Sequence, residues 1–316
     1  MLLRVLQSVA ILLASLLVSS VVVFAFMAVL PGDPARVALG VSASDEAVTQ
    51  LRSEFGLDRS LLVQYVDWVT GLVTFSPGDS YISRAPIGPQ VADRLLVTLW
   101  LVGSAMVLAL VLAIPVGTLM AVRHRKASGL LLSAVSQIGV AVPAFLAGIM
   151  LITIFAVRLG WLPANGWTPP AEDPVMFAKQ LVLPMLSLGL VQAAVLTRYV
   201  RSAVLDVLRE DYLRTARAKG LRPMPALVRH GLRNAAVPVV TVLGLQLATL
   251  LIGAVVVERV FVIPGLGSLL LDSVSNRDLI MVQDVVMILV LAVLVVNFVV
   301  DLLYLAIDPR LRAGTR

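Results

Sequence analysis

Apolar and polar positions in this chain separate into long blocks. Six runs contain no Asp, Glu, Lys or Arg: residues 8–30, 95–122, 129–157, 181–197, 234–257 and 285–300. Each approaches the roughly 20 residues needed to cross a bilayer core. The last is the shortest and is continued past Asp301 by apolar residues 302–307. A charge at the centre of a membrane helix costs about 2.5–3.5 kcal/mol on the most lenient scale, so six such clearances are not accidental. The pattern predicts an all-α polytopic membrane protein with six transmembrane helices.

The polar intervals carry shorter periodicities. Residues 31–94 open with Pro31-Gly32-Asp33-Pro34, which stops the first helix and turns the chain. Val48, Leu51 and Phe55 then share one helical face, and Leu61, Tyr65, Trp68, Val69 and Leu72 share another, predicting two small amphipathic helices. They could cover a pore mouth, receive a partner or merely cap the bundle. Residues 158–180 contain Pro163, Pro169, Pro170 and Pro174, which oppose regular structure, while Trp161 and Trp167 suit an interfacial aromatic belt. Residues 198–237 are too long for a minimal turn between helices. They predict a helix over 200–219, a stop at Gly220, a break at Pro223 and Pro225, and a second short helix over 226–234. A helix–glycine–helix of this kind suits a lipid surface or a docked protein. The small residues Ala216, Ala218 and Gly220 favour docking.

The distribution of charge sets the orientation. Of the 25 Lys and Arg, 16 fall in one alternating set of segments: Arg4, then Arg123, Arg125 and Lys126, then nine from Arg198 to Arg233, then Arg310, Arg312 and Arg316. That set holds only the acids Asp206, Glu210, Asp211, Asp301 and Asp308. Basic excess marks the cytoplasmic side, so both termini are expected there. The net charge of +6 is thus a topology signal, and no nucleic-acid partner is expected. The first apolar run is longer than the 7–15 residues of a signal-peptide core and no Ala-x-Ala follows it, so an uncleaved span is expected.

Composition narrows the chemistry. There is no Cys, and His124 and His230 are far apart, so no metal site is expected. The chain has no G-x-x-x-x-G-K-[ST] phosphate loop, no H-E-x-x-H and no G-x-S-x-G. No two glycines lie four apart, which removes G-x-x-x-G helix packing. No charge lies inside the six runs, so a proton relay or a carboxylate-based sodium site lacks its residues, and Asp301 is expected to cap or pair near the end of the last span. What remains is a passive path gated by something else.

One segment carries a family resemblance. Asp211-Tyr212-Leu213-Arg214-Thr215-Ala216-Arg217-Ala218-Lys219-Gly220-Leu221 resembles the cytoplasmic coupling loop of bacterial ABC importer permeases, in the variant of the dipeptide/oligopeptide/nickel subgroup. The general loop begins Glu-Ala-Ala and has a glycine six residues after the Glu. Here Arg214-Thr215 stands for Glu-Ala, while Ala216 and Gly220 are kept. Arg229-His230-Gly231-Leu232-Arg233-Asn234-Ala235 with Pro238 continues the likeness. So do Leu30-Pro31-Gly32-Asp33-Pro34, Phe55-Gly56-Leu57-Asp58, Gln64-Tyr65, Val257-Glu258-Arg259-Val260-Phe261, Pro264-Gly265-Leu266-Gly267, Asp301, Tyr304 and Asp308-Pro309-Arg310-Leu311-Arg312. The likeness is nearest to the B-type subunit. Ser76-Pro77-Gly78-Asp79-Ser80 departs from the subgroup's Asp-Leu-Gly, and 158–180 matches no pattern.

The resemblance implies a type I importer permease: a first span over 1–30, an extracytoplasmic segment over 31–94, a core over 95–308 with a coupling loop at 201–234, and a cytoplasmic tail over 309–316. It implies a non-catalytic subunit paired with a homologous second permease, driven by cytoplasmic ATPase subunits that use ATP and Mg, and fed by an extracytoplasmic solute-binding protein. No cofactor is bound directly. The coupling residues would be Asp211, Tyr212, Arg214, Thr215, Ala216, Arg217, Ala218, Lys219, Gly220 and Leu221, and the outer gate or binding-protein contact Glu258, Arg259 and Phe261. The first expectation for substrate is di- or oligopeptides, with nickel chelates, glutathione, haem or sugars as alternatives. The spans offer mainly Gln137, Gln192, Gln246, Thr98, Thr241, Thr249, Ser187 and Asn297 to a path, which suits a permissive one. The contrasting class is an ATP-independent pore or secondary carrier, which would need no cytoplasmic partner.

Overall fold

The computed structural model describes residues 2–307 except Pro31, Val41 and Ser42. The motif Asp308-Pro309-Arg310-Leu311-Arg312 and the tail 309–316 lie outside the described residues. The described residues are helical, with one isolated antiparallel bridge between Asp79 and Pro86. The helices are α1 (Leu2–Val29), α2 (Pro34–Leu39), α3 (Asp45–Glu54), α4 (Leu61–Val73), α5 (Ile87–Val122), α6 (Ala127–Ala141), α7 (Ala144–Leu151), α8 (Pro174–Leu208), α9 (Asp211–Ala218), α10 (Pro223–Ala226), α11 (Leu232–Val260), α12 (Leu266–Ser275) and α13 (Leu279–Ile307). Wider π turns, Ile152–Arg158 and Leu227–Gly231, follow α7 and α10.

Arg4–Val29, Ile87–Val122, Pro174–Leu208, Met224–Val260 and Leu279–Leu302 are each long and apolar enough to cross a membrane. The third apolar run is not one straight span. It breaks into Ala127–Ala141 and Ala144–Arg158, bent by 97°, and makes a sixth crossing only if the pair is counted together. Pro143 is the cause: its ring excludes the helical region for the residue before it, and Val142 is extended (φ −85°, ψ 120°).

Several helices outrun the charge-free runs that foretold them. α8 takes in Lys179, Arg198, Arg201 and Asp206, and α13 takes in Asp284 and Asp301. Charge limits where lipid can lie, but not where backbone can hydrogen-bond. Asp301 lies within α13 and is exposed, so it does not cap the helix end. Pro174 begins regular structure, contrary to the expectation for 158–180. It is the first residue of α8, and the Asp173 carboxylate accepts from the Val175 and Met176 amides, both at 2.9 Å. The same Asp-Pro signal starts α2, a helix the periodicity did not predict: Asp33 accepts from the Ala35 amide at 3.0 Å.

The chain forms two compact units. One comprises residues 6–98 and 264–295. Within it, Val48 and Leu51 of α3 bury against Ala35, with Phe55 alongside. Trp68 of α4 packs with Val23 and Met287, flanked by Tyr65, Val69 and Leu72, which is the face the periodicity marked. α12, also unforeseen, joins Ile87, Val91, Met281 and Val285 through Leu266.

The other unit comprises residues 1–5, 99–263 and 296–316, of which the described part is built around α8. Single glycines bring its helices close, in place of a G-x-x-x-G motif. A Cβ at Gly117 would lie 2.7 Å from the Val200 Cβ and 2.8 Å from the Thr197 carbonyl oxygen. Polar side chains close the same interfaces. Gln192 Nε2 donates to Gln246 Oε1 at 2.7 Å, Ser136 to the Ala194 carbonyl at 2.9 Å, and Ser187 to the Ala144 carbonyl at 2.6 Å. Gln192, Gln246 and Ser187, counted above as possible path residues, are therefore occupied in joining helices.

Candidate functional site

The expected helix over 200–219 is two helices. α8 ends at Leu208, Glu210 is extended (φ −67°, ψ 142°), and α9 starts afresh at Asp211. Neither Gly nor Pro marks this break. Asp211 places a carboxylate in the first turn, where the helix dipole favours it. The second short helix expected over 226–234 is not separate: α10 passes through the π turn directly into α11.

The end of α9 is a Schellman motif. The Gly220 amide donates to the Arg217 carbonyl at 3.0 Å, and the Leu221 amide to the Ala216 carbonyl at 3.3 Å. Gly220 has φ +93°, a conformation that penalises any side chain, yet a Cβ there would meet nothing within 4 Å. The glycine is thus required by the backbone turn and leaves open space above it.

One residue fastens α9 to the rest of its unit. Leu213 is buried and, with Val207 and Leu227, converges on Gly231, where a Cβ would lie 2.7 Å from Leu227 Cδ1. Asn234 Nδ2 adds a hydrogen bond to the Tyr212 hydroxyl at 2.9 Å. The residues expected to couple are brought together on the remaining surface. Asp211, Tyr212, Arg214, Thr215, Arg217, Ala218, Lys219 and Gly220 are exposed, and Ala216 and Leu221 half-buried. Arg214 pairs with Asp211 at 3.3 Å, an exposed contact worth little by itself. Eight residues are too few for a stable independent helix, so α9 depends on its buried anchor Leu213, and its outer face is basic.

The second expected group, at the end of α11, is split by burial. Glu258 and Phe261 are enclosed, and Arg259 is exposed. The Phe261 ring sits against Gly148, where a Cβ would fall 2.9 Å from Cε2, and its carbonyl accepts from the Gly166 amide at 3.1 Å. The loop after α7 is therefore tied to this turn. Trp167 packs edge-on against Phe177, and Trp161 remains exposed beside Phe155.

Sequence reasoning missed a buried polar cluster in the other unit. Trp68 Nε1 donates to Asp284 Oδ1 at 2.7 Å, the Ser80 hydroxyl donates to Asp278 Oδ2, and the Tyr81 amide donates to Asp278 Oδ1 at 3.2 Å. Burial, reinforced by Asp284 and Asp278, pushes the Tyr81 phenol up to about 12. Asp284 stands at the edge of an apolar run, and its partner lies more than two hundred positions away, so no local pattern joins them.

Comparisons with known proteins agree with this architecture. Residues 113–313 match the family described as binding-protein-dependent transport system inner membrane component. Residues 1–102 match the N-terminal region defined for such membrane components. The chain belongs to this family. The permease is 41% identical over 304 residues to the glutathione transport system permease protein GsiC of Salmonella typhimurium, covering 95% of this chain and 96% of that one. It is equally similar to GsiC of Escherichia coli. Among solved structures, inward-facing crystals of the MetNI methionine ABC transporter share the fold: TM-score 0.58 at 21% identity, covering 69% of this chain and 96% of that one. A second crystal form gives 0.55 at 19% identity. The protein is thus a multi-pass inner-membrane ABC importer permease subunit of the peptide/nickel-type subgroup.

Proposed function

We propose that this permease forms half of the translocation path of an ATP-driven importer of short peptides, glutathione included, and that α9 is the element through which partner ATPases move it. The observation that carries this reading is the form of α9: a basic, glycine-ended knob, projecting on a single buried anchor from a unit held together by glycine contacts and buried hydrogen bonds. Such an element can transmit force if its socket changes shape, because Leu213 and the Asn234–Tyr212 hydrogen bond tie it to α8 and α11. Coupling also requires the two states of the socket to differ in contact free energy with α9.

The chain does no chemistry itself in this reading. Cytoplasmic ATPase subunits hydrolyse ATP with Mg, a homologous second permease supplies the other half of the path, and a solute-binding protein delivers cargo to the segment 31–94. The basic excess in 123–126 and 198–233 supports a cytoplasmic position for α9. The name of the relative GsiC supports glutathione as cargo, and the peptide-like backbone of glutathione keeps it within the expected substrate class.

Gly220→Trp tests the coupling role. The space above Gly220 accepts the side chain, so the fold survives with strain of about 1–3 kcal/mol at the turn. The complex purified with its ATPases should then lose most of its uptake in vesicles while basal ATP hydrolysis persists. Undiminished uptake of labelled glutathione or dipeptide would remove α9 from the mechanism. Solute flux through the purified chain without ATP or partners would replace the importer by a pore or carrier.

A further inference from the structure

The unit formed by 6–98 and 264–295 contains a cavity of about 1000 Å³, walled by the ends of α1 and α13, by α2 to α4 and by the hairpin 79–86. That is the size of sites that hold small organic molecules, about 300–1000 Å³. Most charges on its wall neutralise one another: Arg59 pairs with Asp67 at 3.1 Å and Arg52 with Asp33 at 3.6 Å. Glu54, Asp79 and Arg84 differ: none forms an ion pair among the described residues, and Glu54 accepts from Gln50 Nε2 at 3.4 Å. Asp79 and Arg84 line the cavity from the two arms of the hairpin. The Arg84 guanidinium is held over the Phe55 ring, 4.5 Å from its centroid, and Phe55 in turn packs on Tyr81 at 4.2 Å.

Two further features mark this place. Arg84 has φ +59°, a conformation costly to a residue with a side chain, which the Asp79–Pro86 bridge maintains. From α13, Gln283 also lines the cavity. It is only 6% exposed, and its Nε2 has no hydrogen-bond partner. A buried amide donor left open is a group that calls for an acceptor.

We propose that this cavity is a binding subsite for a small zwitterion of the short-peptide kind. The carboxylate is received by Arg84, whose planar fork suits it, with the enclosed Gln283 amide behind the same wall, while the ammonium group is received by Asp79. The class of solute rests on the importer reading above, whereas the split placement of charge belongs to the cavity alone. The hairpin follows the stretch Ser76-Pro77-Gly78-Asp79-Ser80, where this chain leaves its subgroup's pattern.

The test is isothermal titration of the complete transporter in lipid nanodiscs, without binding protein, using alanyl-alanine and its N-acetylated, C-amidated counterpart. Saturable binding of the free dipeptide alone is expected, weakened at least about tenfold by Arg84→Gln and by Asp79→Asn. Both residues are exposed, so these variants keep the fold. Absence of saturable binding, equal binding of the blocked peptide, or unchanged affinity in both variants would overturn the proposal. So would a structure of the loaded complex with a binding-protein loop filling the cavity. ATP-driven uptake of the same dipeptide with binding protein present is measured alongside. Uptake without cavity binding defeats the subsite and leaves the importer reading standing; cavity binding without uptake does the reverse.

Discussion

At the scale of single residues, the contact between Trp68 and Asp284 shows what one buried polar pair contributes. Trp68 and Asp284 are both buried, and their 2.7 Å hydrogen bond joins α4 to α13. Trp68→Phe keeps an aromatic ring but leaves the carboxylate without its donor. The expected loss is about 1–3 kcal/mol, the cost of an unsatisfied buried group. Thermal unfolding in detergent measures it, and the same experiment on Asp284→Leu and on the double variant supplies the control. If the hydrogen bond is the cause, the double variant loses less than the sum of the single ones. Strict additivity would assign the effect to packing. Asp284 was invisible beforehand because a carboxylate beside an apolar run reads as the end of a span, and only the turn of α13 toward α4 buries it.

Among the elements, glycine placement decides how closely helices approach. Gly117 on α5 faces the backbone of α8 at Thr197 and the side chain of Val200. Gly117→Ala forces a methyl group to 2.8 Å from a carbonyl oxygen that cannot rotate away. Overpacking of this kind costs about 1–3 kcal/mol, so a clear fall in melting temperature is expected. An unchanged melting temperature would mean that the two helices separate without penalty. Gly103 on the same helix meets nothing within 4 Å, and Gly103→Ala should be neutral or slightly stabilising through helix propensity. The amphipathic helices α3 and α4 and the terminator Gly220 were legible in the spacing of residues. The break at Arg209–Glu210 and the helix α12 were not, since no Gly or Pro marks the first and the second hides in a mixed segment.

For the whole molecule, the distribution of Lys and Arg makes a directional claim. Reporter fusions placed after Lys126 and within 211–219 should report the cytoplasm, and fusions within 161–170 the opposite side. A cytoplasmic signal from 161–170 would show that the pair α6 and α7, bent by 97°, re-enters and does not cross. The chain would then have five spans, and its ends would lie on opposite sides of the membrane. This prediction belongs to the whole molecule because hydropathy gives the apolar length of each segment, while crossing depends on how the bend at Pro143 is accommodated.

The sequence by itself determined the class of this protein, its apolar segments, the small helices α3 and α4, and the stop at Gly220. Those features follow from hydropathy, from helical period and from short motifs, all of which are local. The tertiary structure alone decided which polar groups meet: Trp68 with Asp284, Ser80 with Asp278, and Gln192 with Gln246. It also decided that Phe261 is enclosed against Gly148 while Arg259 stays exposed. The reason is physical. A side chain's period says which face it occupies, but burial and partnership depend on what the distant chain brings to that face.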